Sequence, residues 1–463
     1  MSLQVISPYT QKKVCSLEWD SKAELEQKIA NATDAYQHWC KTPIRHRIAL
    51  VKKGLSYFCK NADQIAREIT LQMGKPIRQA QNEVKTFFER AEYMLSIGEE
   101  TLQPDILPEK ANFHRRIEHV PLGVILNIGA WNYPLIIPVN VIVPALIAGN
   151  TVLLKHSPKT PLCGQHFEAA FGSGSAGHLV TNLVLSNTET SRLIRDPRIA
   201  HVAFTGSVKV GRHVYRQAAE RLLDAGLELG GKDAAYVASD ADLHFSVESV
   251  VDGACYNAGQ SCCAVERVYV HQKHYSKFLS LAKKQLEQYQ MGDPFSEDTT
   301  LGPLVSRHDL TKLESHVEDA LKRGAKLLLG GKRWDGAAGN KTGGNFFLPT
   351  LLADVPNDAI VMQEESFGPI VSVQKVANDE EAAAAVADSR YGLTASIFTK
   401  SQSRAERFSN DLAVGTIFQN RCDYLDPALP WTGVRESGVG STLSRYGFYG
   451  LTRRKAVHFR TAT

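Results

Sequence analysis

The sequence predicts an α/β protein: a parallel sheet covered by helices on both faces, followed by a second α/β domain. Two observations carry this. From residue 124 onward strand-like runs alternate with helical ones, the pattern of a parallel sheet. The chain also has 463 residues, more than one hydrophobic core usually serves, so two or three domains are expected. An apolar content of 43% and a charged content of 22% are ordinary for a globular chain.

Residues 1 to about 100 read as helical after a short strand-like start. Asp20-Ser21 can cap a helix running to about Trp39, and residues 45–73 carry apolar side chains at helical spacing with charges opposite. Gly74-Lys75-Pro76 breaks that helix, and residues 79–99 resume the pattern. Residues 117–120 and 122–128 are strand-like, with Pro121 between them. The alternating series then places strands at 124–128, 151–155, 179–185 and 201–204, and helices at 134–148, 161–171, 189–195 and 208–223. Sheets of this kind bind dinucleotides at the C-terminal ends of their strands. A second alternating series runs from Leu227 to about Gln419. Residues 330–345, rich in Gly, Lys and Asn, read as a surface loop.

The totals exclude several classes. A net charge of +4 is small for this length and gives no argument for nucleic acid or an anionic membrane as partner. The N-terminal Met-Ser-Leu-Gln-Val-Ile-Ser-Pro lacks a basic region followed by an apolar one, so no secretory signal is read there. The 8 cysteines form no C-x-x-C pair, which argues against a disulfide framework and a zinc ribbon. A reduced cytoplasm is the expected home, and no metal is expected. Residues 135–154 are nearly all apolar, but Pro138, Asn140, Pro144, Gly149 and Asn150 interrupt them. A buried helix followed by a buried strand is expected there, not a membrane span.

The chemistry concentrates around Asn257-Ala258-Gly259-Gln260-Ser261-Cys262-Cys263-Ala264. Before it, residues 240–258 form an amphipathic helical pattern through Leu243, Val247, Val250, Val251, Ala254 and Ala258, which Asp240 or Asp242 can cap. After it, Arg267-Val268-Tyr269-Val270 reads as a strand. A thiol at such a junction can be activated by nearby backbone N–H groups, although buried cysteines are commonly inert. Gly206-Ser207-Val208-Lys209-Val210-Gly211 follows a strand and opens a helix, as a phosphate-binding turn or an ordinary capped turn does. Glu228 precedes Leu229-Gly230-Gly231-Lys232; it is either a general base on a flexible turn or a solvated carboxylate. Asn132, in Trp131-Asn132-Tyr133-Pro134, can donate to an oxyanion or cap the following helix. Glu365 and Phe367, in Glu364-Glu365-Ser366-Phe367-Gly368-Pro369, offer a carboxylate and a ring to a flat polar ligand, or form an acidic loop.

Taken together and in this order, these motifs resemble the aldehyde dehydrogenase superfamily over essentially the whole chain. The resemblance rests on Trp131-Asn132, Lys155, Phe204-Thr205-Gly206-Ser207, Glu228-Leu229-Gly230-Gly231-Lys232, Gly259-Gln260-Ser261-Cys262, Glu365-Ser366-Phe367-Gly368-Pro369 and Ser437-Gly438. It implies a Rossmann-like cofactor domain at 1–102 and 122–230, a second α/β catalytic domain at 231–435, and a small oligomerisation arm at 103–121 and 449–458. It implies NAD or NADP as cofactor, a small aldehyde as substrate, and self-association as a dimer or tetramer. By position, Cys262 matches the nucleophile, with Cys263 its neighbour; Asn132 and the Cys262 backbone N–H match the oxyanion hole; Glu228 matches the general base. Lys155 and Glu365 would grip ribose hydroxyls, Phe367 would pack near the nicotinamide, and Gly206, Ser207 and Gly211 fall at the pyrophosphate turn. Trp131 and Leu229 fall within the same cofactor-binding motifs. The implied reaction is thiolate attack on the aldehyde, hydride transfer, and hydrolysis of the resulting thioester by Glu228-activated water.

The sequence departs from the family pattern in four places. Pro158 stands where relatives often carry a ribose-binding carboxylate; with Ser157, His156 and Lys159 nearby this admits a 2′-phosphate. Alternatively Pro158 merely starts the next helix and Lys159 faces solvent. Ala130 replaces a proline, and Trp431-Thr432-Gly433-Val434 replaces Pro-Phe-Gly-Gly. The chain is also similar to short succinate-semialdehyde dehydrogenases, yet Asn140 and Tyr256 occupy the places of the arginines that read the substrate carboxylate in better-known enzymes of that activity. Arg421 can substitute, or can pair with Asp423 or Asp426. A CoA-acylating relative and a catalytically silent protein on the same fold are the alternatives; Glu228 speaks against the first, and Cys262, Glu228 and Asn132 together against the second.

Overall fold

The alternating stretch from residue 124 folds into a six-stranded sheet of order Gly438–Val439, Ala225–Glu228, Ile199–Thr205, Val124–Ile128, Thr151–Lys155 and Val180–Asn182. The computed structural model describes residues 2–172, 177–334 and 343–461. All neighbours in this sheet are parallel except Gly438–Val439, which runs antiparallel to Ala225–Glu228. Every residue of Val124–Ile128 and Thr151–Lys155 is buried, as strands covered on both faces require. From Val124–Ile128 the chain first builds outward through Thr151–Lys155 and Val180–Asn182, then crosses to Ile199–Thr205 on the opposite side. Strand order therefore reverses between Val124–Ile128 and Ile199–Thr205, and the crevice beyond their C-terminal ends is where such sheets take ligands.

A second, seven-stranded sheet has the order Lys326–Leu329, Thr350–Ala353, Ile370–Val376, Val265–His271, Asp233–Val237, Thr394–Phe398 and Thr416–Gln419, parallel apart from its first strand. A third, antiparallel sheet joins Asp105–Ile106, Phe113–Pro121 and Thr452–Arg460, and leaves Thr452–Arg460 as an edge. Ser2–Ile6 and Lys13–Glu18 form a separate hairpin.

Where the elements differ from the sequence expectation, local chemistry explains the difference. The single helix expected at 45–73 is two, Ile44–Lys60 and Ala62–Met73, because the Asn61 side chain donates to the Tyr57 carbonyl and closes the first. The strand at 122–128 starts at Val124, since Gly123 turns the chain at φ 140°. The helix at 208–223 ends at Ala219, and the strand at 179–185 shortens to Val180–Asn182. In the loop expected at 330–345, Gly330 and Gly331 adopt φ of 72° and 79°; residues 335–342 lie outside the described residues. The apolar stretch at 135–154 is a buried helix, Ile136–Ala148, followed by the strand Thr151–Lys155. Among the described residues no helix is long and apolar enough to cross a membrane.

Candidate active site

A cavity of about 460 Å³ opens at the sheet crevice and is lined by Trp131, Asn132, Gly206, Ser207, Glu228, Leu229, Cys262, Glu365 and Phe367. Lys155, Ser157 and Gly211 do not reach its wall. Trp131 and Phe367, 236 positions apart in sequence, thus share one cleft.

The cysteine is delivered by a turn of unusual backbone. Asp242 caps the helix Leu243–Cys255, accepting from the Phe245 N–H, while Asp240 bonds Thr399 and Arg404 instead. Asn257, Ala258 and Gly259 then all take left-handed conformations, with φ of 53°, 56° and 71°. Two of these are not glycine, a strain of order 1 kcal/mol or more each, and such strain persists only where the surroundings over-determine it. They do. The Asn257 amide donates to the carbonyls of Asn132 and Gln260, each at 3.1 Å, and Gln260 accepts from the Val305 N–H at 2.9 Å. A side chain on Gly259 would fall 2.4 Å from the Gly368 carbonyl.

Cys262 leaves this turn half-buried, against Cys263, Leu393, Trp431 and Leu443. Cys263 is buried, with its Sγ 2.9 Å from Asp423 Oδ1. A hydrogen bond with Cys262, together with burial and the charge of Asp423, holds the Cys263 thiol well above the usual range. Both line the cavity, and Cys262 is the more exposed of the two.

Asn132 donates its amide to the Gln260 carbonyl at 3.2 Å, which aims the remaining amide hydrogen beside the cysteine turn. Its position depends on a pair the sequence reading missed. Lys75 and Glu83 form a fully buried ion pair; Lys75 Nζ donates to the Asn132 carbonyl at 2.8 Å, and Glu83 accepts from the Leu135 N–H at 2.8 Å. Glu83 thereby satisfies the start of helix Ile136–Ala148, whose cap residue Leu135 has no side-chain bond to offer. Asn132 is thus the oxyanion candidate and not the cap. The signal for Lys75 was hidden in Gly74-Lys75-Pro76, which reads as a simple helix break.

Glu228 ends the strand Ala225–Glu228, and its carboxylate accepts from the hydroxyls of Thr442 and, at 3.4 Å, Thr205. Burial raises its pKa, partly offset by those hydroxyls and by Arg90. A raised carboxylate beside the nucleophile's cavity is suited to take a proton from water. Glu228 also lines a second cavity of about 270 Å³ on its other side, with Thr442 and His201.

Beside Glu228, whose carbonyl accepts from the Gly206 N–H at 3.0 Å, Ser207 begins the helix Val208–Ala219 without a side-chain bond, so its hydroxyl and the first N–H groups stay open to an anion. Gly211 serves packing: a side chain there would lie 2.4 Å from Leu229 Cδ2. It sits one turn beyond the helix start. Phe367, at φ 60°, meets the Trp131 ring edge-on at 5.6 Å. Its loop is held by Glu266, which accepts from the Ser366 and Phe367 N–H groups and pairs with buried Lys232. Glu365 accepts from the Gly231 N–H at 3.2 Å, and burial and the charge of Glu266 push its pKa up to about 7.

Lys155 is buried at its strand end, pushed down to about 8 by burial, and has no ion-pair partner among the described residues. Pro158 does not start a helix. It occupies the second position of a turn closed by the Thr160 N–H on the Ser157 carbonyl at 3.1 Å, and the helix begins at Pro161. Lys159 is half-buried, with Nζ 5.7 Å from the Trp131 ring centre, and so leans toward the cavity wall instead of solvent. Asp309 and Lys312, from the helix Arg307–Lys322, also line the cavity.

The remaining wall includes Arg90, Tyr133, Asn140, Asp252, Tyr256, Asp423 and Trp431. Arg421 is exposed and lies over the Tyr424 ring at 3.4 Å; it pairs with neither Asp423 nor Asp426. Asp423 accepts from Ser261 and Cys263, and burial pushes it up to about 7. Arg90 arrives from the helix Ile77–Thr101 and meets Asn140 there. Among the described residues no group of three or more His, Cys, Asp or Glu side chains is arranged to hold a metal ion.

Known proteins share both sequence and fold with this chain. The aldehyde dehydrogenase family model matches residues 1–457. A succinate-semialdehyde dehydrogenase [NADP(+)] of Deinococcus radiodurans is 34% identical over 453 residues, 98% of this chain and 94% of its own. The succinate semialdehyde dehydrogenase [NAD(P)+] Sad of Escherichia coli is 34% identical over 455 residues, 98% and 96% of the two chains. The solved structure of Gox0499 superposes with a TM-score of 0.93 at 33% identity, covering 99% of each chain. The chain belongs to the aldehyde dehydrogenase family and is an enzyme of aldehyde oxidation.

Proposed function

We propose that this enzyme oxidises a short aliphatic aldehyde, succinate semialdehyde foremost, to the carboxylic acid, using NADP at least as well as NAD. The observation that carries the reading is that Cys262, Asn132 and Glu228 line one cavity together with Ser207, which begins a helix without a side-chain cap bond. Cys262 attacks the aldehyde carbon, and the oxygen becomes an oxyanion held by the Asn132 amide and the Cys262 N–H. The nicotinamide cofactor, when bound, supplies the hydride acceptor. Gly206, Ser207 and the helix start would hold its phosphates, Glu365 its ribose, and Trp131 and Phe367 would wall its ring. Glu228 takes a proton from the water that cleaves the Cys262 thioester, releasing the acid and the thiol. A buried carboxylate at that place favours water over CoA as the acyl acceptor. The relatives' names, succinate-semialdehyde dehydrogenases of NADP or NAD(P), support the substrate and cofactor choice.

In this reading residues 1–102 and 122–230 carry the cofactor and 231–435 the nucleophile. Residues 103–121 and 449–458 pair across subunits through the free edge of Thr452–Arg460. The test is NAD(P)H production from an aldehyde panel, with and without CoA, in wild type, Cys262→Ala and Cys263→Ala. The reading expects CoA-independent turnover that Cys262→Ala abolishes and Cys263→Ala largely keeps. A strict CoA requirement, or the reverse ranking of the two variants, refutes it.

A further inference from the structure

Arg90 is a cation in a place that does not discharge it. Its residue is 4% exposed, midway along the helix Ile77–Thr101. One terminal nitrogen, Nη1, donates to the Ile136 carbonyl at 3.2 Å and to Asn140 Oδ1 at 3.3 Å. Its Nε is buried without a partner, and among the described residues no carboxylate lies within ion-pair distance. Glu83, the nearest acid in sequence, is committed to Lys75 and to the Leu135 N–H. Glu89 bonds the Tyr424 hydroxyl, and Glu228 bonds Thr442 and Thr205.

A guanidinium always carries its charge, so a buried one with unmet donors is costly unless an anion completes it. Arg90 lines the cavity of Cys262. Its bonded neighbours there, the Ile136 carbonyl and Asn140 Oδ1, are neutral and fix the plane of the fork, while Glu228, Glu83 and Glu89 act on it only through space. A planar fork with a free edge matches a carboxylate. The acids on the same wall are the counter-argument. Burial raises both Asp252 and Asp423, the latter to about 7, so the wall is less negative than its composition.

We propose that Arg90 is the specificity-determining residue for the substrate's far end, binding the carboxylate of a short ω-oxo acid while its aldehyde meets Cys262. This rests on the aldehyde-oxidising reading of the cavity and sharpens it. A positively charged aldehyde is excluded on the same ground.

The experiment measures kcat/KM for succinate semialdehyde, butanal and 4-aminobutanal in wild type, Arg90→Gln and Arg90→Lys. Arg90→Gln is expected to lose at least about tenfold on succinate semialdehyde, the loss of one charge-assisted bond. On butanal the loss should be smaller, since only the favourable charge that Arg90 lends to Glu228 is removed. Arg90→Lys should recover part of the loss. The wild-type ranking, the oxo acid above butanal and butanal above 4-aminobutanal, stands as a test even if both variants fail to fold. Equal losses on butanal and the oxo acid, or a wild-type preference for 4-aminobutanal, would overturn the proposal while leaving aldehyde oxidation intact. A wild-type enzyme that turns over none of the three would overturn the reading beneath it.

Discussion

The Lys75–Glu83 pair makes a prediction that couples stability to catalysis. Both side chains are fully buried, and Lys75 Nζ holds the Asn132 carbonyl at 2.8 Å. Lys75→Met keeps the chain length and removes the charge. Glu83 is then a buried carboxylate with only the N–H groups of Leu135 and Ile136, at 2.8 and 3.4 Å, to stabilise it. Breaking a buried pair from one side costs about 3–5 kcal/mol, so the urea midpoint should fall by that much in free energy. The Asn132 carbonyl loses one of its two donors and keeps Asn257 at 3.1 Å. Deleting an oxyanion donor outright costs about 2.7–4 kcal/mol; a displaced one should forfeit part of this, about 1.4 kcal/mol or tenfold in kcat. Steady-state NAD(P)H production, measured well below the unfolding transition, reads the second effect. An Asn132→Ala background removes it, because the amide being positioned is gone. Lys75→Met within about 1 kcal/mol of wild type and unchanged in kcat would refute the argument that this pair holds the oxyanion loop.

Glu228→Gln should release one equivalent of NAD(P)H in a burst and then stall, because hydride transfer precedes hydrolysis; wild-type steady-state rates would remove Glu228 from the mechanism. Thr442→Val deletes a hydroxyl that favours the charged Glu228, whose pKa burial already raises, so the rise of thioester hydrolysis with pH should move to higher pH, which single-turnover measurements would show. Pro158→Glu should shift the kcat/KM ratio toward NAD, since a carboxylate at that turn repels a 2′-phosphate; wild type favouring NAD by more than about tenfold would defeat the premise. Light scattering at micromolar concentration should find a dimer or larger, because the nine-residue strand Thr452–Arg460 leaves one edge unpaired within the chain.

What the sequence determined by itself was whatever local physics dictates. Buried β-branched runs alternating with helical ones admit a parallel sheet and little else, and the strands at 124–128 and 151–155 fold as read. The polar, glycine-containing stretch before Cys262 was legible as a turn, and there Gly259 takes a left-handed conformation and closely approaches Gly368. Gly206-Ser207 marked the helix start for the same kind of reason.

Tertiary structure decided everything that depends on where a polar side chain is desolvated. Lys75 read in sequence as part of a helix break, Glu83 and Arg90 as positions of the helix that follows, and all three are buried. Their partners lie far away in sequence: Asn132 from Lys75 by 57 residues, Asn140 from Arg90 by 50, Thr442 from Glu228 by 214. The same holds for Cys263, indistinguishable from Cys262 by type and separated from it by an Asp423 that arrives 160 residues later. Periodicity reports which face of an element is apolar. It carries no information about which charge will meet which across a packed interface, because that pairing is set by the docking of elements and by the cost of leaving a buried charge alone.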